Sequence, residues 1–366
     1  MFVEGNDKVI AALELLLTKA REGRAGFLIA TLHTKGAPAL GGFFGTLGLE
    51  RTAMLELEQI AAMHEETRKQ RKPPKADKRL GYDYITYNLP VGPTGFDMIT
   101  FLVDAEMTRT RHGAPAPLKV FFWQGATPEA SNLNTDNRIG ILEKVMRPSL
   151  ALISAVETDK HGRVEQYFGM SRIVEAARRG EPVPRFKAPA DAPREYFAQA
   201  PVTITLREAK HWPHRNSNIA AWLRFADDLK AAGEHVIFVR DTAKADLPLP
   251  GEFTYPEAAT DLHARMALYE VAKCNLFVGN GPGSLAWFGD RPWLQFMALT
   301  DDEHPYKPLT RGWFKKFNGI AEGEQWPWSL PTQRIVWQAD TYENLCAAWA
   351  ALDLKALESD RLIAAE

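Results

Sequence analysis

The sequence predicts an α/β protein of two halves, each a parallel sheet with helices on its faces, that face each other across a cleft. Three observations predict it. Helical and strand-like periods alternate along the chain. A stretch dense in proline and charge over residues 178–201 interrupts the alternation, which then starts again. The length, 366 residues, is more than one hydrophobic core usually organises. With 45% apolar and 25% charged residues the chain can bury two such cores.

In the first half, residues 6–22 have helical periodicity, 26–32 (GFLIATL) form a short apolar run rich in strand formers, 49–70 are charged and helical, and 82–88 (YDYITYN) alternate as a strand does. Residues 96–111 then predict a helix, 118–123 (LKVFFW) a buried strand and 138–154 a helix containing Pro148. In the second half the strands are 202–206, 235–239, 275–279 and 292–297, with helices at 216–232 and 261–273, the latter opening on Asp261. Residues 300–331 are rich in Trp, Pro and Gly with little period. Trp313, Trp326 and Trp328 there read either as an interface or as a packed loop. Residues 341–357 predict a closing helix. The expected boundaries are 1–185, a linker at 186–200, 201–340, and a C-terminal helix at 341–366.

A net charge of -2 supplies no field for nucleic acid or an anionic membrane, so an anion site must be built locally. Two cysteines, Cys274 and Cys346, are too few for a disulfide framework or a thiolate metal centre. The first residues read as an amphipathic helix and not as a secretory leader, and no uncharged apolar run reaches about 18 residues. A cytoplasmic protein is expected, meeting a membrane only at its surface.

The most informative segment is LFVGNGPGSLAWF, residues 276–288, where an apolar strand runs into Asn280, Gly281, Gly283 and Ser284 before a helix can begin. Backbone N–H groups at such a turn favour a phosphate. A tight turn needing positive φ explains the glycines equally well. A second segment, TITLREAKHWPHRNSN, follows a strand with Arg207 and Arg215, which can clamp a diphosphate, while Asn216 or Ser217 reads as the cap of the next helix. Arg240 and Asp241 end a third strand, suited to a ribose or to a structural pair. Arg265, in the helix after Asp261, reads as a solvated charge. Basic or glycine-rich loops at several strand ends of one domain are the pattern of a ligand site.

For a general base the candidates are Asp97 and His33 first, then Glu106 and Asp136, although Glu106 also suits an ion pair with Arg109. No Asp-x-Asp pair, His-Glu-x-x-His or cysteine cluster offers a metal site, and no cofactor is expected.

These features over residues 202–296 together resemble the nucleotide-sugar-binding domain of GT-B glycosyltransferases, in particular the heptosyltransferase and fucosyltransferase-like groups. The HxRRxD-type motif of fucosyltransferases is absent, and the first half matches no family. The resemblance implies two Rossmann-like domains and metal-independent transfer of a sugar from a nucleotide diphosphate donor to a glycan or lipid-linked acceptor, as in bacterial surface polysaccharide synthesis. It places donor contacts at Arg207, Arg215, Arg240, Asp241, Asn280, Gly281, Gly283 and Ser284. A nucleotide-sugar epimerase, a pyruvyl transferase or a non-catalytic nucleotide-sugar sensor are the alternatives.

Overall fold

The computed structural model describes residues 66, 69–127, 136–164, 169–194, 200–210, 212–301 and 309–352. Two compact units divide the chain: residues 1–74 with 123–132, and residues 75–122 with 133–366. Little of the first is described, one backbone bond from the Ala126 N–H to the Gln70 carbonyl among it. The elements expected at 6–22 and 26–32, and His33 itself, lie outside the described residues.

A four-stranded sheet has the order β3-β2-β1-β4, with β1 Tyr84–Asn88, β2 Lys119–Trp123, β3 Val156–Glu157 and β4 Arg163–Val164. β1 pairs β4, and β2 pairs β3, in parallel. Between β1 and β2 runs α1, Asp97–Arg111, which buries Phe101, Leu102 and Ala105 among Ile85, Tyr87 and Val120 of the strands. The helix expected over 138–154 is broken. It runs as α2 (Asp136–Ile141), a wide π turn over Leu142–Met146, and a tight turn from Pro148 to Ile153. Pro148 lacks the N–H that would continue an α-helical ladder, which accounts for the break. α3 follows at Met170–Arg178.

The second sheet holds β5 Val202–Thr205, β6 Val236–Val239, β7 Cys274–Val278, β8 Trp293–Phe296 and β9 Gln333–Val336 in the order β6-β5-β7-β8-β9, all parallel. In chain order this is 2-1-3-4-5, the doubly wound arrangement whose strand order reverses between β5 and β7. Along β5 the side chains alternate. Val202 and Ile204 enter one core with Trp222, Leu276 and Leu294, while Thr203 and Thr205 point to the other face, bonded at 2.7 Å to Asn275 and Tyr269. The helices are α4 Ile219–Ala231, α5 Pro256–Thr260, α6 Leu262–Val271, α7 Gly283–Trp287, α8 Arg311–Asn318 and α9 Tyr342–Ala350. α9 packs on α4, with Trp349 against Phe225 and the Tyr342 hydroxyl on Asp228.

One core joins residues packed on both sheets: Ile99, Val103 and Ile173 from the first with Met266, Phe288 and Trp326 from the second. Within the stretch read as a linker, Phe186 is fully buried and its N–H donates to the Phe288 carbonyl at 2.8 Å. Trp326 and Trp328 are buried and stacked 5.4 Å apart, so the packed-loop reading holds for both. α8 and β9 have no counterpart in the sequence reading. Each is short, and their stabilisation comes from docking on Trp326 and β8.

Candidate functional site

The switch point between β5 and β7 assembles the site. Beyond Thr205, the chain turns through residues 206–218 before α4. Arg207, 6% exposed, holds that loop: its Nη1 donates to the Trp212 carbonyl at 3.0 Å and to Asn216 Oδ1, and its N–H donates to Ser217 Oγ at 2.9 Å. Asn216 and Ser217 are thus loop braces. The α4 cap is Asn218, whose side chain accepts the Ala221 N–H. Trp212 adopts a left-handed backbone, φ 56°.

Arg215 reaches across the switch point, donating from Nη2 to the Gly279 carbonyl after β7 at 3.0 Å. Its Nε is buried without an acceptor, and among the described residues no carboxylate lies within ion-pair distance. Desolvation and then the neighbouring Arg207 guanidinium push its pKa down to about 10, which still leaves it charged at neutral pH. Desolvation lowers Arg207 as well. Arg215 therefore carries its charge beside the turn after β7 with no carboxylate among the described residues at ion-pair distance, while Asp241 partly offsets the desolvation of Arg207.

Arg265 corrects the reading as a solvated charge. On α6 it is 4% exposed, its Nε donates to the Ala258 carbonyl, and its Nη1 is buried without a partner. Burial pushes its pKa down, partly offset by Tyr269 and Asp241. Arg240 is engaged differently: Glu208 accepts from its Nε at 3.0 Å and its Nη2 at 2.5 Å, both residues being buried. Burial raises the Glu208 carboxyl, but hydrogen bonds from Arg240 and Lys244 outweigh it and hold the group below its usual range. Asp241 caps the short turn Thr242–Lys244.

The turn after β7 is more internally bonded than its sequence suggests. Asn280 Oδ1 accepts the Gly283 N–H at 2.8 Å, the Gly281 carbonyl accepts the Ser284 hydroxyl at 2.7 Å, and the Pro282 carbonyl accepts the Leu285 N–H. Neither Gly281 nor Gly283 has positive φ. Their glycines answer to close packing: a Cβ on Gly283 would lie 2.5 Å from the Phe277 ring, and one on Gly281 would lie 2.9 Å from the Phe96 ring, just before α1. The turn after β7 is thereby pressed against the start of α1.

That contact puts Asp97 beside the turn. A cleft of about 220 Å³ is lined by Asp97 and Thr100 on one side and by Asn280, Gly281 and Ser284 on the other. Asp97 is open to solvent yet crowded by surrounding protein, and desolvation pushes its carboxyl above the usual range. Glu106 is paired with Arg109 at 2.7 Å, as its spacing suggested. The side chain of Asp136 and all of His33 lie outside the described residues.

The cleft also has aromatic walls that the sequence reading missed: Phe96, Trp287, Trp313 and Phe317, with Met170. A signal was present. Thr310 caps α8, Gly319 closes it with φ 77°, and Trp313 and Phe317 fall four apart on one side. Among the described residues, no group of three or more His, Cys, Asp or Glu side chains comes together, and no helix is long and apolar enough to cross a membrane.

No protein-family model matches the chain, and no curated protein matches it. Among solved structures it is similar to the iron-containing dodecameric glycosyltransferase TibC from enterotoxigenic E. coli H10407, at 16% identity and TM-score 0.41 over 74% of this chain and 75% of that one. It is similar to E. coli ADP-heptose lipopolysaccharide heptosyltransferase II at 10% identity and TM-score 0.44, over 75% and 99% of the two chains. A glycosyl transferase family 9 protein from Veillonella parvula aligns at 11% identity and TM-score 0.36, over 74% and 97%. At such identities and scores neither donor nor acceptor follows from these likenesses.

Proposed function

We propose that the chain is a glycosyltransferase that moves a sugar from a nucleotide diphosphate donor to a hydroxyl of a glycan or lipid-linked acceptor. The observation that carries the reading is Arg215, a half-buried guanidinium with no carboxylate partner among the described residues, held beside Arg207 at the switch point of a doubly wound sheet. Burying a charge is costly unless an opposite charge meets it, and a diphosphate supplies that charge.

In this reading Asp97 takes the proton of the acceptor hydroxyl as its oxygen attacks the anomeric carbon. The bond from that carbon to the diphosphate oxygen breaks, and Arg207 and Arg215 meet the charge that leaves. The raised Asp97 pKa brings the carboxylate nearer the operating pH of a base. The guanidiniums take the part a divalent cation plays elsewhere, so transfer proceeds without added metal. Two facing Rossmann-like domains, bounded as 1–185 and 201–340, a cytoplasmic location and a role in surface polysaccharide synthesis complete the proposal.

The test is thermal-shift and calorimetric titration with ADP, UDP, GDP and CMP sugars in EDTA, followed by product analysis. A donor at a hundredfold its Kd stabilises the fold by about 2.7 kcal/mol. No shift with any of the four, or a shift that requires a divalent cation, overturns the corresponding part of the reading.

A further inference from the structure

We propose that Phe96 is a positioning residue, a spacer that sets Asp97 at a fixed distance from the turn after β7. The part given to Asp97 as base rests on the transferase reading above; the dependence of its placement on Phe96 does not.

Three observations carry it. The first is the way α1 begins. Phe96 stands at the cap position in helical conformation, φ -68° and ψ -7°, and no side chain among the described residues caps the first turn. Backbone carbonyls meet the N–H groups there, Met98 donating to Gly95 at 3.2 Å and Ile99 to Phe96 at 3.0 Å. A helix end held in this way frays more readily than a capped one. Met98 and Ile99 are fully buried, Met98 in the core of the first sheet and Ile99 in the shared core, and they fix the body of the helix.

The second is the anchor of Phe96, which lies on the other sheet. A methyl group on Gly281 would meet Cδ2 of the Phe96 ring at 2.9 Å and its Cβ and Cγ at 3.2 Å, so the ring already fills the space over this glycine. The ring also packs on the core shared by the two sheets. The third is the stiffness of the turn that receives it. The Gly281 carbonyl accepts both the Ser284 N–H, at 3.1 Å, and the Ser284 hydroxyl, at 2.7 Å. Asn280 Oδ1 accepts the Gly283 N–H at 2.8 Å, and the Phe277 ring closes on Gly283. Close packing leaves such a turn little slack with which to follow a displaced neighbour.

Asp97 is the next residue along the chain, its Cα about 3.8 Å from that of Phe96 across a planar peptide. Both residues line one cleft with Asn280 and Ser284. Wherever the ring is held, the carboxylate is therefore held too. In the transferase reading the acceptor hydroxyl lies between Asp97 and the donor at the turn, and the Phe96–Gly281 contact sets the width of that gap. A displacement of about 1 Å at a reacting group costs on the order of a hundredfold in rate.

The test compares the full chain as wild type, Phe96→Ala, Phe96→Leu and Phe96→Met by hydrogen-exchange mass spectrometry, by titration with ADP, UDP and GDP, and by steady-state transfer kinetics. Backbone amides of residues 97–100 should exchange at least tenfold faster in Phe96→Ala and Phe96→Leu, while those of β5 keep wild-type protection and so report an intact fold. The nucleotide Kd should stay within threefold of wild type, and kcat should fall ten- to hundredfold in Phe96→Ala. Methionine, a flexible apolar chain that fills the same space, should bring exchange and kcat back to within threefold. Phe96→Leu carries the test if Phe96→Ala does not fold. Unchanged exchange at 97–100, loosening that spreads equally to β5, kcat within threefold of wild type in Phe96→Ala, or a loss of nucleotide affinity as large as the loss of kcat would each overturn the spacer. Localised loosening in a protein that neither binds a nucleotide nor transfers a sugar would leave the spacer standing and remove the transferase reading.

Discussion

Replacing Arg215 with methionine separates a ligand-binding arginine from a structural one, because the two roles predict opposite changes in stability. Each pKa unit corresponds to about 1.4 kcal/mol, so lowering this guanidinium from the usual arginine range to about 10 costs the folded protein on the order of 3 kcal/mol. Methionine of similar length removes that cost and gives up one hydrogen bond to the Gly279 carbonyl, worth about 1 kcal/mol. The net expectation is a gain of roughly 1–2 kcal/mol, or about 1–3 °C in Tm. Binding should move the other way. Two charge-assisted bonds to a diphosphate, at about 1.5 kcal/mol each, amount to roughly a hundredfold in Kd. Differential scanning fluorimetry without nucleotide, and isothermal titration with it, measure the two quantities on one preparation. A variant that melts earlier than wild type, or that binds nucleoside diphosphates within threefold of it, would refute the reasoning.

Asp97→Asn should lower transfer by roughly 10²–10⁴ while leaving donor affinity intact, and should abolish an acid limb in the kcat/KM profile lying above the usual Asp value of about 3.9. The raised folded-state pKa favours the protonated carboxyl, so this residue's contribution to stability is full below the unfolded value and is lost as pH rises through the folded one. Asp97→Asn should therefore be the more stable protein at neutral pH in urea titrations, with the difference vanishing in acid. Glu208→Gln leaves Arg240 buried without its counter-charge and should cost about 3–5 kcal/mol. Because the Glu208 pKa is lowered, its contribution is present above the normal carboxylate range and is lost as pH falls through the folded value. The variant should show a flatter acid limb of stability by chemical denaturation at stepped pH. Gly281→Ala forces Phe96 aside and should cost about 1–3 kcal/mol, and a Phe96→Ala background should relieve much of it in a double-mutant cycle.

Much of this architecture is legible in the chain, for a local reason. Strands buried on both faces, such as VTIT and CNLFV, are continuous runs that need no partner to be recognised, and Asp261 opening its helix is a cap that acts within three residues. The placement of Arg207, Arg215 and Asn280 at strand ends followed from the same runs. What tertiary structure decided is the company each residue keeps. Arg240 reads in sequence as a ribose contact or a structural pair and Arg265 as a solvated charge; folding closes the first with Glu208, thirty-two positions away, and buries the second with a free donor. Gly281 looks like a phosphate-cradle glycine, and its real constraint is Phe96, almost two hundred residues earlier. Local periodicity and capping are short-range effects, and the sequence by itself determines them. Desolvation, charge pairing and the shape of the cleft are sums over neighbours brought together only by folding, and for those the tertiary structure is the sole source.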